Sequence, residues 1–248
     1  MSEVLLRCER LTRRWGGIVA VNEVSLALAS GEVHAVIGTN GAGKSTLINL
    51  LSGEIAPSAG VVELLGQDVS AWSQPRRARA GLGRSYQRNT IYPGFSVFEN
   101  CRLAAQARRP RAWRWWQSAL ACEQTNEAAR AAAQRAGLTD LLDRSAGLLS
   151  HGQKRQLEIA MCLATAPRVL LLDEPLAGMG AEETERMLAL LAELRAGQAM
   201  LLVEHDMDAV FRIADRITVM VNGAVIASGA PDAVRANADV QAAYLGGH

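Results

Sequence analysis

The sequence predicts an α/β fold in which a largely parallel sheet is flanked by helices. Three observations predict it. Strand-type apolar runs alternate with helical segments, a glycine-rich loop joins one such strand to a helix, and an alanine-rich helical stretch separates a β-rich N-terminal section from the later strands. The chain has 248 residues, 49% of them hydrophobic, so it can bury a substantial core.

The N-terminal section is predicted to be rich in strands. Its apolar residues first alternate and then form a short continuous run, and Ser30 with Gly31 marks a turn between the two. Gly66 lies at the centre of a segment that resembles a hairpin. The predicted elements are strands at 19–28 and 33–37, a helix at about 43–51 and a hairpin at 61–69.

The rest of the chain is predicted to be helical first and then to alternate between strands and helices. The helical unit is interrupted by the Pro110 region and by Gly137, which is typical of a helix end. The later elements are a helix at 152–164, a strand at 169–172, a helix at 181–195, a strand at 199–203 and a final group of strands, helices or hairpins. The helical unit runs from 97 to about 142.

The composition excludes several classes of protein. The 26 basic and 25 acidic residues are interspersed and give a net charge of +1, so no overall field attracts nucleic acid. The four cysteines are scattered without the spacing of a metal site, and we expect no disulfide. No run of 18 apolar residues occurs, so we expect a chain that is neither secreted nor membrane-spanning.

The most specific motif of the sequence is GTNGAGKST, which lies between a predicted strand and a predicted helix. In this context, glycines let backbone N–H groups surround phosphate oxygens, and the helix N-terminus adds positive potential. Lys44 is expected to reach the β- and γ-phosphates, and Ser45 to offer its hydroxyl to Mg²⁺. The motif predicts a nucleoside triphosphatase. Its expected nucleotide-binding residues are Gly38, Thr39, Asn40, Gly41, Ala42, Gly43, Lys44, Ser45 and Thr46.

Two further segments carry candidate site residues. VLLLDEP places Asp173 and Glu174 at the end of an apolar strand, where ligands bind in open α/β sheets. We expect Asp173 to hold Mg²⁺ through water and Glu174 to be the general base that polarises the attacking water. In LSHGQ, Ser150 can cap the following helix, and exposed N–H groups near Gly152 would form a second anion site. An ordinary capped helix is the alternative for this segment.

Together the motifs resemble the ATP-binding cassette (ABC) family across nearly the whole chain. They occur in the family's order: GTNGAGKST, GRSYQ, LSHGQ, VLLLDEP and LLVEHD. The resemblance implies a P-loop NTPase with ATP and Mg²⁺ as cofactors, forming one domain over 1–248. In it, 1–95 and 165–248 would form a RecA-like parallel-sheet core with a β subdomain, and about 96–164 an inserted helical subdomain.

The resemblance also implies a head-to-tail dimer in which two subunits share each ATP. The signature residues of one subunit would meet the γ-phosphate held by Lys44 of the other; they are Ser150, His151, Gly152 and Gln153. Gln87 would bind Mg²⁺ together with Ser45 and Asp173, and would report the nucleotide state to a membrane partner. His205 would contact the γ-phosphate and support Glu174.

Some residues have simpler alternatives, and some depart from the family pattern. Trp15 lies where the family carries a ring that stacks on adenine, but it could pack in the core instead. Gln87 could be a loop glutamine, and His205 a surface helix cap. Many relatives have glycine in place of His151. Most have aspartate in place of Gly180, so a side-chain contact across the dimer is lost.

Several details resemble the ATPases of branched-chain amino acid importers and their urea-importer relatives, among them RRWGGIVAVNEVSL, AGMGAEETERM, EHDMDAV and AYLGG. The resemblance implies a second ABC ATPase, identical or similar, two permease subunits and a periplasmic solute-binding protein as partners. It places the chain at the cytoplasmic face of the inner membrane. A urea importer, an exporter or lipid-extracting ATPase, and a soluble ABC ATPase remain alternatives.

The segment RRPRAWRWWQS combines three tryptophans (Trp113, Trp115 and Trp116) with arginines. This combination suits a membrane interface or the cytoplasmic side of a permease. A self-packed helical connector is the alternative.

Overall fold

The computed structural model describes residues 3–86, 90–108 and 122–245, which form two sheets and the helices around them. The strands are β1 (Val4–Trp15), β2 (Ile18–Ala29), β3 (Val33–Gly38), β4 (Ala59–Leu64), β5 (Gln67–Asp68), β6 (Leu82–Arg84), β7 (Val169–Asp173), β8 (Ala199–Val203), β9 (Arg216–Val221) and β10 (Ala224–Gly229). The helices are α1 (Lys44–Ser52), α2 (Gln74–Arg79), α3 (Val97–Ala107), α4 (Glu123–Arg135), α5 (His151–Ala164), α6 (Ala181–Leu194), α7 (Met207–Ile213), α8 (Pro231–Arg235) and α9 (Ala238–Leu245).

The larger sheet confirms the predicted α/β architecture. Its strand order is β10-β9-β3-β8-β7-β6, and every pair of neighbours is parallel except β9 and β10. Strands β3, β7 and β8 are buried along their whole length, as expected for parallel strands covered on both faces. Val203 of β8 is in register with both Val36 and Asp173, so three strands end at one edge of the sheet.

The smaller, antiparallel sheet has the order β2-β1-β4-β5 and contains the predicted hairpin of β4 and β5. The sequence pattern does not predict β1, because charged residues interrupt its apolar positions. In the structure those charges point away from the core, while Leu5, Leu6, Cys8 and Leu11 are buried. A left-handed backbone at Arg10 lies where the register of β1 shifts, which is typical of a β-bulge.

The helices α3, α4 and α5 pack on one another, and their buried residues continue into the core beneath one face of the larger sheet. Two capping boxes fix where α3 and α5 begin: Ser96 pairs with Glu99, and Ser150 pairs with Gln153. Gly137 adopts a left-handed backbone just after α4, which confirms the predicted helix end.

Buried Arg77 holds the C-terminal end of α1, the helix whose first residue is Lys44. Its guanidinium donates hydrogen bonds to the backbone oxygens of Leu50 and Leu51, both at 2.8 Å, and of Ser70 at 3.1 Å. Burial lowers the pKa of Arg77 to about 10. The last carbonyls of a helix have no partner within the helix, so this arginine supplies one from outside it.

Replacing Arg77 with Met should lower the free energy of unfolding by about 2–4 kcal/mol, because buried carbonyls lose their donors. Urea denaturation followed by circular dichroism measures the change. Arg79→Met is the matched control, since Arg79 is exposed on the same helix. Equal stability of the two variants would contradict this account of Arg77.

Candidate functional site

The phosphate loop leaves β3 at Gly38 and enters α1 at Lys44, as predicted. Its conformation requires glycine at two positions because there is no room for a side chain. A Cβ at Gly43 would lie 2.3 Å from the Ala20 oxygen, and one at Gly38 would lie 2.3 Å from the Met220 oxygen. Gly43 also has a φ of 98°, which side chains rarely allow. The loop is therefore held tightly against β2 and β9.

Lys44 folds back over this loop. Its ammonium donates hydrogen bonds to the Gly38 oxygen at 2.7 Å and the Thr39 oxygen at 3.1 Å. Burial lowers the pKa of Lys44, and the negative charges of Glu174 and Asp173 partly oppose that shift. In the same loop and first helical turn, Thr39, Asn40, Gly41 and Ser45 are exposed. The loop thus presents a cation and accessible backbone at the N-terminus of a helix, an arrangement that suits phosphate.

The two predicted carboxylates lie beside the loop, at the end of β7. Asp173 is the last residue of the strand and is buried, and burial raises its pKa while the charge of Arg84 is the largest influence lowering it. Glu174 follows in a left-handed backbone conformation with φ of 50°. Its N–H donates to the Val203 oxygen at 2.8 Å, which anchors this strained residue to β8.

The oxygen donors at this edge fit Mg²⁺. The Asp173 carboxylate and the Ser45 hydroxyl are hard ligands that flank the phosphate loop. The described parts of the chain contain no group of three or more His, Cys, Asp or Glu residues that could hold a metal alone. Mg²⁺ is commonly bound by one or two protein oxygens together with substrate phosphates and water, and Asp173 and Ser45 supply two such oxygens.

Glu204 is a site residue that the sequence analysis missed. It follows β8 directly, is 1% exposed, and its two carboxylate oxygens accept hydrogen bonds from the backbone N–H of Leu176 at 2.8 Å and of His205 at 3.1 Å. Burial raises its pKa, and these backbone donors oppose the shift. The turn behind Glu174 is therefore tied to the backbone of His205. The sequence does contain a signal for Glu204, because an acidic residue there stands between an apolar strand and a histidine.

His205 lies next to this carboxylate with its own side chain 62% exposed. Its Nδ1 is 3.9 Å from Glu204 Oε2, and Asp206 caps α7 through the Ala209 N–H at 3.1 Å. The imidazole is thus accessible at the sheet edge that carries Lys44 and Glu174. The helix cap is Asp206 rather than His205.

The signature segment begins α5 as predicted, with Ser150 at the N-cap. One expectation was wrong: the N–H of Gly152 is not exposed. It donates to Glu183 Oε1 at 3.2 Å, and the Ser150 hydroxyl donates to the same oxygen at 3.0 Å. The glycine leaves space that the carboxylate of α6 fills. Gln153 contributes to the capping box, and His151 Nε2 lies 2.9 Å from the Ala177 oxygen.

Two predicted contacts, those of Trp15 and Gln87, remain predictions. Trp15 is 45% exposed at the end of β1, with the guanidinium of Arg13 4.8 Å from the centre of its ring. A core-packing role for Trp15 is therefore excluded, whereas adenine stacking remains a prediction. Gln87 lies outside the described residues, as does the tryptophan-rich segment within 109–121.

The residues on either side of the undescribed stretch 87–89 are held by α5. The Arg155 guanidinium donates to the Tyr86 oxygen at 3.0 Å, and Glu158 Oε1 accepts from the Thr90 N–H at 3.1 Å. Arg155 and Glu158 form a buried ion pair at 2.9 Å, and burial raises the pKa of Glu158. The helix that begins with the signature thus fixes both flanks of the segment containing Gln87.

Comparison with known proteins supports the family resemblance. The model of the ABC transporter family matches residues 21–177, and that of the branched-chain amino acid ATP-binding cassette transporter matches residues 224–248. The branched-chain amino acid transport ATP-binding proteins BraF of Pseudomonas aeruginosa and LivG of Escherichia coli K12 are each 39% identical to this chain. In both cases the match covers 99% of each protein.

A solved structure agrees with this result. The ADP conformation of MJ1267, an ATP-binding cassette of an ABC transporter, superposes with a TM-score of 0.87 and is 29% identical, covering 99% of this chain and 100% of its own. The antiparallel sheet, the parallel core and the phosphate loop follow the P-loop NTPase architecture of this family. The chain belongs to the ABC transporter ATP-binding subunits of the branched-chain amino acid transport family, and it hydrolyses ATP for transport.

Proposed function

We propose that this ATPase powers the uptake of branched-chain or closely related amino acids. The full-length similarity to BraF and LivG carries the proposal, because it extends over 99% of both proteins. A ribose import ATP-binding protein of Rubrobacter xylanophilus is 35% identical over 91% of this chain, but that match spans only 44% of its own length. Similarity over the entire chain, including its C-terminal residues, favours amino acids over sugars.

Nucleotide binding begins with a change of partners at Lys44. Its ammonium now bonds the neutral oxygens of Gly38 and Thr39, and it exchanges them for phosphate oxygens when ATP enters the loop. The ammonium is attracted more strongly to a charged phosphate oxygen than to a neutral carbonyl oxygen, so the exchange favours the nucleotide. The exposed ring of Trp15 stacks on adenine at the other end of the site.

Hydrolysis is carried out by the residues at the ends of β7 and β8. Glu174 accepts the proton of the attacking water, and the bond from its backbone N–H to Val203 fixes the backbone from which the carboxylate extends. Asp173 and Ser45, with Gln87, would hold Mg²⁺, which would supply neutralising charge for the phosphates. His205 donates to the γ-phosphate from its position beside Glu204.

The signature residues Ser150, His151, Gly152 and Gln153 serve the ATP of a second ABC ATPase, identical or similar, in a head-to-tail dimer. Two permease subunits complete the transporter, which takes solute from a periplasmic binding protein. No described helix is long and apolar enough to cross a membrane. We place the chain at the cytoplasmic face of the inner membrane, where the permease subunits hold it. Nucleic acid is not among the proposed partners.

Replacing Glu174 with Gln should lower the rate of ATP hydrolysis at least 100-fold while leaving ATP affinity within about 3-fold of the wild type, because a general base contributes roughly 10²–10⁴ in rate. Phosphate release and equilibrium binding of ATP measure the two effects. Glu193→Gln, on the exposed face of α6, is the control. Wild-type hydrolysis by Glu174→Gln would remove this residue from the role of base.

Purification of the tagged chain from membranes should yield two permease subunits. When reconstituted with a binding protein in vesicles, the complex should take up radiolabelled leucine, isoleucine or valine only with ATP. Uptake of urea in their place would establish the alternative importer. Purification of the tagged chain without any permease subunit would contradict the proposed uptake, and so would ATP-driven export of these amino acids.

A further inference from the structure

One carboxylate of this chain occupies the position at which its signature would bind an anion. Glu183 is the third residue of α6, and its Oε1 accepts from the Ser150 hydroxyl at 3.0 Å and from the Gly152 N–H at 3.2 Å. A Cβ added at Gly152 would lie 2.8 Å from that same oxygen. The absence of a side chain at Gly152 thus admits the carboxylate.

The two donors cannot serve Glu183 and a phosphate at once. The Ser150 hydroxyl and the Gly152 N–H each carry one hydrogen, and both point at Glu183 Oε1. In the proposed dimer these are the hydrogens that bind the γ-phosphate of the ATP on the partner subunit. The N-terminus of α5 favours a negative charge, and in this structure the carboxylate provides it.

A second contact joins the same two segments. His151 Nε2 is 2.9 Å from the Ala177 oxygen, and because a carbonyl only accepts, the nitrogen carries the proton. The backbone N–H of Ala177 in turn donates to the backbone carbonyl oxygen of Glu174 at 3.2 Å. The beginning of α5 is therefore attached at two points, to Ala177 in the turn after Glu174 and to Glu183 in the first turn of α6.

We propose that Glu183 is an intramolecular counter-anion of the signature, which ATP on the partner subunit must displace before the two subunits close. The inference rests on the proposed shared ATP site. When Glu183 occupies the signature most of the time, the apparent affinity for the partner's ATP falls. It equals the affinity of the free signature multiplied by the fraction of time that the signature is free. Glu183 thereby sets the ATP concentration at which the transporter turns over.

Glu182 provides a matched comparison for this residue. It precedes Glu183 in the first turn of α6, where an acidic side chain stabilises the helix through its dipole. Its side chain is 88% exposed and pairs with Arg186 on the same helix at 3.0 Å. Glu182→Gln therefore removes one charge from the same turn and leaves the bonds of Ser150 and Gly152 in place.

The test measures ATP hydrolysis by the assembled transporter in vesicles as a function of ATP concentration. Glu183→Gln should lower the half-saturating ATP concentration about 3- to 10-fold, because a neutral amide holds the two donors less strongly than a carboxylate. Glu183→Asp retains the charge but is too short to reach both donors, so it should shift the same way. Glu182→Gln should match the wild type.

A half-saturating concentration unchanged in both Glu183 variants, or shifted equally in Glu182→Gln, would overturn the proposal. Ser150→Ala separates this failure from failure of the shared site. If Ser150→Ala lowers hydrolysis while the Glu183 variants behave as the wild type, the shared site stands and the counter-anion is wrong. Wild-type hydrolysis by Ser150→Ala would contradict the shared site itself. Thermal denaturation of each variant confirms that the fold is intact.

Discussion

The site depends on the parallel alignment of β3, β8 and β7, which brings the C-terminal ends of three strands to one edge of the sheet. Gly38, Glu204 and Glu174 lie at or just beyond these ends, although they are far apart in the sequence. Because parallel strands end on the same side, the phosphate loop, the carboxylates and His205 all lie at one edge of the sheet. The strand cores, buried on both faces, make that alignment rigid.

Buried charged side chains link this edge of the sheet and helix α5 to the segments beside them. Glu204 ties the turn after Glu174 to His205, while Arg155 and Glu158 of α5 hold the flanks of the segment that contains Gln87. The signature at the start of the same helix is bonded to Glu183. Helix α5 therefore carries contacts to both flanks of the Gln87 segment and to the turn after Glu174.

The sequence could predict the features that depend on local pattern. The loop at Gly38 to Thr46, the helix cap at Ser150, the strand before Asp173 and the sheet class all follow from periodicity and motifs. Strand β1 could not be predicted, because its charges obscure an alternation that only the second sheet explains. Glu204 and Glu183 act through partners 28 and 31 residues away in sequence. Such contacts exist only in the folded chain.

If the nucleotide binds at this sheet edge through Lys44, it should shield the ammonium of that residue from reagents in solution. The sequence has two lysines, Lys44 and Lys154, so labelling with an amine-acylating reagent can follow both by mass spectrometry. ADP with Mg²⁺ is the suitable ligand because it has no γ-phosphate to engage the signature segment near Lys154. We expect saturating ADP to slow the acylation of Lys44 at least 10-fold and to leave the acylation rate of Lys154 unchanged. Equal labelling of Lys44 with and without ADP would contradict binding through Lys44.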